Sequence, residues 1–465
     1  MIGLVLKLIT YAPYALAALV AVLVLLKWPF AGLLVMVALI PGEELTAFLG
    51  DRTLIWALGI AVLGAWTLRT LLTGNKIRIA KRPTFLALVW LMWGLLSAFW
   101  AQDQAVALRQ AIALAQLIAF FCLIQVMVTE DRRLRILITT YFVASVVYAV
   151  LAIGTAISAD LRRATLTEAQ NPNALARALG VGLLMAPYLL RQHALPRWRV
   201  PIIVGTFALG LAILLTGSRG AWVGVVAAFG FTWLISMGKL WRLRSIVLVA
   251  VAVSAGMAGL YRLGFLDEWM VQRILTLPDI RATHGGAGRT NIWAVGWEMV
   301  KANSLVGVGL GNFPVRFEDY IDVAGMRGAY GVYPGRDPHS VFLSLQAELG
   351  IIGLVIFLTF LWAIFRNLLP YRHDSKAIVG ILLLVFMVFS GIPATVQYRK
   401  FFWLALGLAA GIPKVMAYEQ QSSWSSRRIF NKDEATIRNA NTGNKTYQRP
   451  FWRKTAIART RCPRW

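Results

Sequence analysis

Four short stretches carry residue types able to bind an anion or move a proton. In Thr216-Gly217-Ser218-Arg219-Gly220-Ala221 an apolar helix is expected to begin at about Arg219. The first backbone N–H groups of a helix have no intrahelical partner and form the positive end of its dipole. An arginine is unfavourable there unless an anion shares the position, and Gly217 and Gly220 admit a close approach by backbone or ligand. Together these features suit a phosphate. The competing reading is an arginine that snorkels to the membrane interface. Gly285-Gly286-Ala287-Gly288-Arg289-Thr290-Asn291-Ile292-Trp293 repeats the pattern, with a helix expected through about Lys301, Thr290 as its N-cap and Arg289 at its start. Trp293 and Trp297 share a face suited to lipid headgroups, so here the competing reading is an interfacial helix whose arginine touches lipid phosphate.

Asp337-Pro338-His339-Ser340 places an imidazole just before another apolar run. A neutral imidazole can take a proton from a sugar hydroxyl; the plainer alternative is a polar residue at the end of a span. Asn171-Pro172-Asn173 caps a further run, and the amide of Asn173 is a candidate for holding sugar hydroxyls as well as for capping. Glu348 follows His339 by nine residues, or about two and a half turns. The two therefore point to opposite faces, and Glu348 is expected in an ion pair rather than behind the histidine. Val306-Gly307-Val308-Gly309-Leu310-Gly311-Asn312-Phe313-Pro314 follows no strand, so it is expected to shape a loop and not to bind a dinucleotide. No Asp-x-Asp pair occurs in the outer connections, and the two cysteines, Cys122 and Cys462, make neither a disulfide framework nor a zinc site. Neither a metal nor a cofactor is expected.

The elements that position these residues follow from composition. Of 465 residues, 58% are hydrophobic and only 15% charged, too apolar for a soluble globule of this size. Mean hydropathy is +0.65. The apolar runs are about the length of a membrane-spanning helix and lack the alternation of a barrel strand. Spans are expected at roughly 53–73, 84–101, 104–128, 134–158, 172–190, 199–216, 219–237, 244–264, 340–366, 376–393 and 399–417. Residues 11–40, broken at Lys27-Trp28-Pro29, add one span or a tight hairpin. The fold class expected is an all-α polytopic membrane protein of about twelve helices. Its parts are an N-terminal bundle over 1–264, a large loop over 265–339, C-terminal spans over 340–417 and a basic tail over 418–465. No cleavable signal peptide is evident.

Charge assigns sidedness. Lys76, Arg78, Lys81 and Arg82, then Arg132, Arg133 and Arg135, then Arg191, Arg197 and Arg199, and later Lys239, Arg242, Arg366 and Arg372 fall on alternate connections. The positive-inside rule makes that side cytoplasmic. The formal charge of +26 is read in this way and not as a signal for nucleic acid. Arg219, Arg289 and His339 then share the opposite face. Residues 265–339 hold seven basic and eight acidic side chains, so that loop is nearly neutral; its length calls for short helices of its own.

In Gly217 to Ala221, Gly288-Arg289 to Trp293, Gly307 to Phe313, and Pro338-His339-Ser340 to Glu348-Leu349-Gly350, taken in order with the large loop between span groups, the chain resembles the bacterial O-antigen ligase superfamily. That superfamily also includes O-antigen polymerases and protein O-oligosaccharyltransferases. The resemblance covers about residues 11–417 and leaves out the tail. It implies a GT-C-like, inverting glycosyltransferase with a lipid donor. The donor would be O-antigen on undecaprenyl pyrophosphate and the acceptor a hydroxyl of lipid A-core oligosaccharide, among membrane lipids at the periplasmic face of the bacterial inner membrane. The family's essential arginines match Arg219 and Arg289, and its essential histidine matches His339. Polymerase and protein ligase remain alternatives within the superfamily. A lipid or saccharide transporter is the alternative outside it, and the absence of matching half-chain motifs speaks against that reading.

Overall fold

A computed structural model of the chain describes residues 24–49, 52–74, 77–158, 163–167, 170–192, 195–236, 262 and 288–420. The expected 244–264 span, His284, Gly285 to Ala287, the start of the 11–40 stretch and the tail beyond 420 lie outside the described residues. Helices follow the apolar runs closely: α1 Pro29–Leu39, α2 Leu54–Thr73, α3 Lys81–Leu96, α4 Gln104–Met127, α5 Asp131–Ser158, α6 Pro172–Gln192, α7 Pro196–Leu215 and α8 Arg219–Ser236. After the loop come α9 Arg289–Ala302, the short α10 Phe313–Arg316, α11 Val341–Leu368, α12 Ser375–Gly391 and the terminal helix α13, Lys400–Gln420. Eight of the described helices are long and apolar enough to cross a membrane, and Arg219–Ile235 and Ser375–Gly391 are shorter apolar helices. The protein is an all-α polytopic membrane protein. Its small β component is an antiparallel pair, Ala47–Leu49 with Arg52–Thr53.

Local chemistry sets the helix ends. Asp103 caps α4 by accepting from Val106 N at 2.9 Å, Asp374 caps α12 through Lys376 N at 2.8 Å, and Ser340 accepts from Leu343 N at 3.4 Å to open α11. Trp28 leaves helical geometry, and Pro29 begins α1 at the position where its missing N–H costs nothing. With 11 residues, α1 is too short to span.

The core is aromatic where α3, α4, α11 and α13 meet. Trp90, Phe121, Phe357, Phe360, Phe402 and Trp403 are nearly or fully inaccessible. Their rings stack and edge at 5.0–6.4 Å. The 288–339 segment builds a second, smaller core from residues including Ile292, Met299, Phe313 and Phe317, which pack against Ala347 of α11.

That segment is fixed by a break in α11. Gly350 takes φ 65° and ψ −170°, and Cβ of any other residue there would lie 2.0 Å from the Leu305 carbonyl oxygen. The break frees backbone groups, which the preceding loop takes up. Ile351 N donates to Ser304 O at 2.9 Å, while Val308 N and Gly309 N donate to Ala347 O and Glu348 O at 2.9 and 2.8 Å. Non-helical backbone at this depth needs such internal partners. The glycine-punctuated Val306-to-Pro314 stretch is thus a structural splice, as its sequence suggests. Asn312 extends it by exchanging hydrogen bonds with the Asp103 backbone, at 2.8 and 3.1 Å.

Candidate functional site

Arg219 opens α8, as expected. Gly217, at φ 63°, turns the chain out of α7, with its N–H donating to Leu214 O at 2.9 Å. Ser218 is fully buried. Two arginines that the sequence reading did not single out meet this turn. Arg163 Nε donates to Thr216 O at 2.6 Å and its Nη2 to Asn173 Oδ1 at 3.1 Å. Arg177 lies one turn beyond Asn173 on α6 and is only 4% exposed. Its Nη1 donates to Asn173 O at 2.8 Å and its Nε to Ser390 O at 3.2 Å. Its Nη2 lies 3.0 Å from the place a Cβ on Gly220 would occupy. Asn173, a candidate for holding sugar hydroxyls, has both its oxygens engaged by arginines. An ionisable residue within an apolar run was the signal that could have drawn attention to Arg177.

Arg289 opens α9 from a left-handed Gly288, at φ 74°. The N-cap is therefore Gly288, and Thr290 falls inside the first turn. A left-handed backbone favours glycine, and a Cβ at 288 would meet Tyr330 O at 2.7 Å. Trp293 does not turn to lipid. Its Nε1 donates to Pro338 O at 3.0 Å, tying the helix of Arg289 to the residue before His339. Trp297, 51% exposed, does face outward.

His339 has φ 46° and is the one non-glycine residue with positive φ among the described residues. Such a conformation is held only where the surroundings over-determine it, and it concentrates at functional sites. The imidazole is half-buried. Burial first, then the charges of Arg336 and Arg289, hold its pKa below the usual histidine value; Asp337 opposes this, and Arg177 adds to the lowering. A neutral imidazole at pH 7 is the form that accepts a proton. Arg289 and Arg399 also act electrostatically on Arg177. One end of the bundle thus gathers Arg177, Arg289 and His339 within electrostatic reach, with Arg219 beside Gly220.

Arg399 is joined to Glu44 at 3.4 Å, and Lys400 pairs with Glu43. Glu44 also accepts from Asn171 N at 3.2 Å. These contacts tie the connection that follows α1 to the starts of α6 and α13. A cavity of about 20 Å³, room for about one water, lies among Glu43, Glu44, Gln170 and Arg399. Glu348 differs from expectation: in place of an ion pair, its Oε2 accepts from Gly311 N at 2.9 Å. Among the described residues no group of three or more His, Cys, Asp or Glu side chains gathers at metal-binding range.

This polytopic helical membrane protein thus sets arginines near a half-buried histidine of left-handed backbone, residue types able to hold an anion and to accept a proton. Residues 204–358 match the family model described as O-Antigen ligase. The matched region runs from α7 into α11 and includes Arg219, Arg289 and His339. Arg163, Asn173, Arg177 and Arg399 lie outside it. A comparison with curated proteins returned no match.

Proposed function

We propose that the protein is an O-antigen ligase that moves polysaccharide from undecaprenyl pyrophosphate to a hydroxyl of lipid A-core oligosaccharide. The observation that carries this reading is the left-handed backbone of the half-buried His339, whose pKa burial and the nearby Arg336 and Arg289 hold below the usual histidine value. His339 accepts the proton of the acceptor hydroxyl. The oxygen attacks the anomeric carbon from the side opposite the diphosphate, the new glycosidic bond forms, and the bond to the diphosphate oxygen breaks with inversion. Arg219 and Arg289 hold the leaving diphosphate and stabilise its growing charge, where poorly hydrated surroundings strengthen each contact. Asn173 offers its amide N–H₂ to a sugar hydroxyl, and arginine performs this role without a metal.

Loop charge supports a site on the periplasmic face of the inner membrane, with 265–339 as the periplasmic loop and the tail in the cytoplasm. The test is to incubate the purified protein with undecaprenyl-pyrophosphate-linked polysaccharide and lipid A-core and to resolve joined product on a gel. Product with lipid A-core supports the ligase. Chain growth only when a second lipid-linked glycan is the acceptor makes it a polymerase, and transfer only to a protein makes it a protein ligase. No transfer to any of the three removes the reading.

A further inference from the structure

We propose that Arg177 is a third cation on the donor's diphosphate, a substrate-binding residue that reaches the site from within α6. The proposal rests on the ligase reading and deepens it. Arg177 is almost fully buried in an apolar helix, yet among the described residues no carboxylate pairs with it. Its guanidinium donates to the neutral main-chain oxygens of Asn173 and Ser390. The charges that act on it are Arg289 and Arg399, both of its own sign, and it in turn acts on His339.

A buried guanidinium with other cations nearby gains most from a compensating negative charge. The geometry shows where that charge belongs. Nη2, which has no acceptor among the described residues, sits at the first turn of α8 beside Gly220, next to Arg219 and the positive end of the helix dipole. Nε and Nη1 fix the plane of the guanidinium, so Nη2 is presented rigidly. Two fully buried hydroxyls flank this arrangement and have no partner among the described residues: Ser390, on the residue whose carbonyl holds Nε, and Ser218, two positions before Gly220. A ligand with many acceptor oxygens satisfies donors of this kind, and a diphosphate provides them together with the missing charge. The competing role is a structural pin joining α6 to α8 and α12.

The experiment uses the full-length protein in detergent, with inorganic pyrophosphate and undecaprenyl pyrophosphate as probes and ligand-dependent thermal shift and titration as readouts. Arg177→Gln should lower affinity for both probes on the order of tenfold or more, comparably to Arg219→Ala. Arg177→Lys should recover part of the loss, since charge returns without the planar fork. If Arg177→Gln folds and binds both diphosphates as the wild type does, Arg177 is only a pin and the proposal is overturned. If Arg177→Gln fails to fold, Arg177→Lys decides: unchanged affinity overturns the proposal, and reduced affinity at wild-type thermal stability supports it. If the wild type itself binds neither probe, the ligase reading fails and this proposal falls with it. A wild type that binds, beside an indifferent Arg177→Gln, removes this proposal alone.

Discussion

Nη2 of Arg177 and the backbone of Gly220 are packed so closely that a Cβ at 220 would lie 3.0 Å from the guanidinium nitrogen and 2.7 Å from Pro393 Cγ. The arrangement exists because position 220 has no side chain. Gly220→Ala should therefore displace Arg177 or the start of α8. Overpacking of this kind costs about 1–3 kcal/mol. The expected result is a lower unfolding temperature together with weaker diphosphate binding. Wild-type binding in Gly220→Ala would show that the contact does not position the site.

The arginines and the histidine should separate kinetically. Arg219→Ala and Arg289→Ala each remove charge-assisted bonds worth about 1.5–3 kcal/mol, so donor affinity should fall roughly tenfold to a hundredfold. His339→Ala should leave donor binding nearly intact and slow single-turnover transfer by roughly a hundredfold or more. Donor binding and transfer measured on the same purified variants read the difference. A His339→Ala protein that loses donor affinity as severely as Arg289→Ala would make the histidine a diphosphate ligand and not the base.

The pH dependence follows from the surroundings of His339. Burial, then Arg336 and Arg289, disfavour its cation, so the imidazole stays neutral to a lower pH than an ordinary histidine. Transfer should be flat near neutrality and decline only as pH falls below about 6.5, the usual histidine value. Arg336→Gln removes the largest of the charge contributions, so the acid limb of the rate profile should move to higher pH. An acid limb that stays in place in Arg336→Gln would assign it to another group.

Glu348 should matter for the fold more than for chemistry. Its carboxylate receives Gly311 N–H and so holds the glycine loop against the broken α11. Glu348→Ala leaves a buried amide without a partner, a cost of about 1–3 kcal/mol, whereas Glu348→Gln keeps an acceptor and should cost less. Thermal unfolding in detergent checks the order. Equal stability of Glu348→Ala and wild type would mean that the amide is satisfied elsewhere.

Sidedness is tested by single-cysteine labelling in intact cells. Positions 289 and 336 should react with an impermeant reagent, and position 372 should react only after permeabilisation. Labelling of 289 and 372 from the same side would remove the proposed topology.

The sequence alone determined most of the membrane architecture. An apolar run of membrane length is legible without knowledge of its neighbours, because the bilayer supplies the partner that a soluble helix must find in tertiary packing. The helix starts at Arg219 and Arg289 were legible for a similar reason, since glycine and the first turn of a helix are local signals. Tertiary structure alone decided what these starts face. Arg177 reads in the sequence as one charge inside an apolar helix, and its significance depends on Ser390, 213 positions away. Glu348 looked like half of an ion pair because helical spacing cannot show that α11 breaks at Gly350 and admits the loop of Gly311. Trp293 looked like a membrane anchor until Pro338 supplied an acceptor 45 positions along the chain. Buried polar groups choose partners by reach in three dimensions, and no local periodicity encodes a partner on another helix.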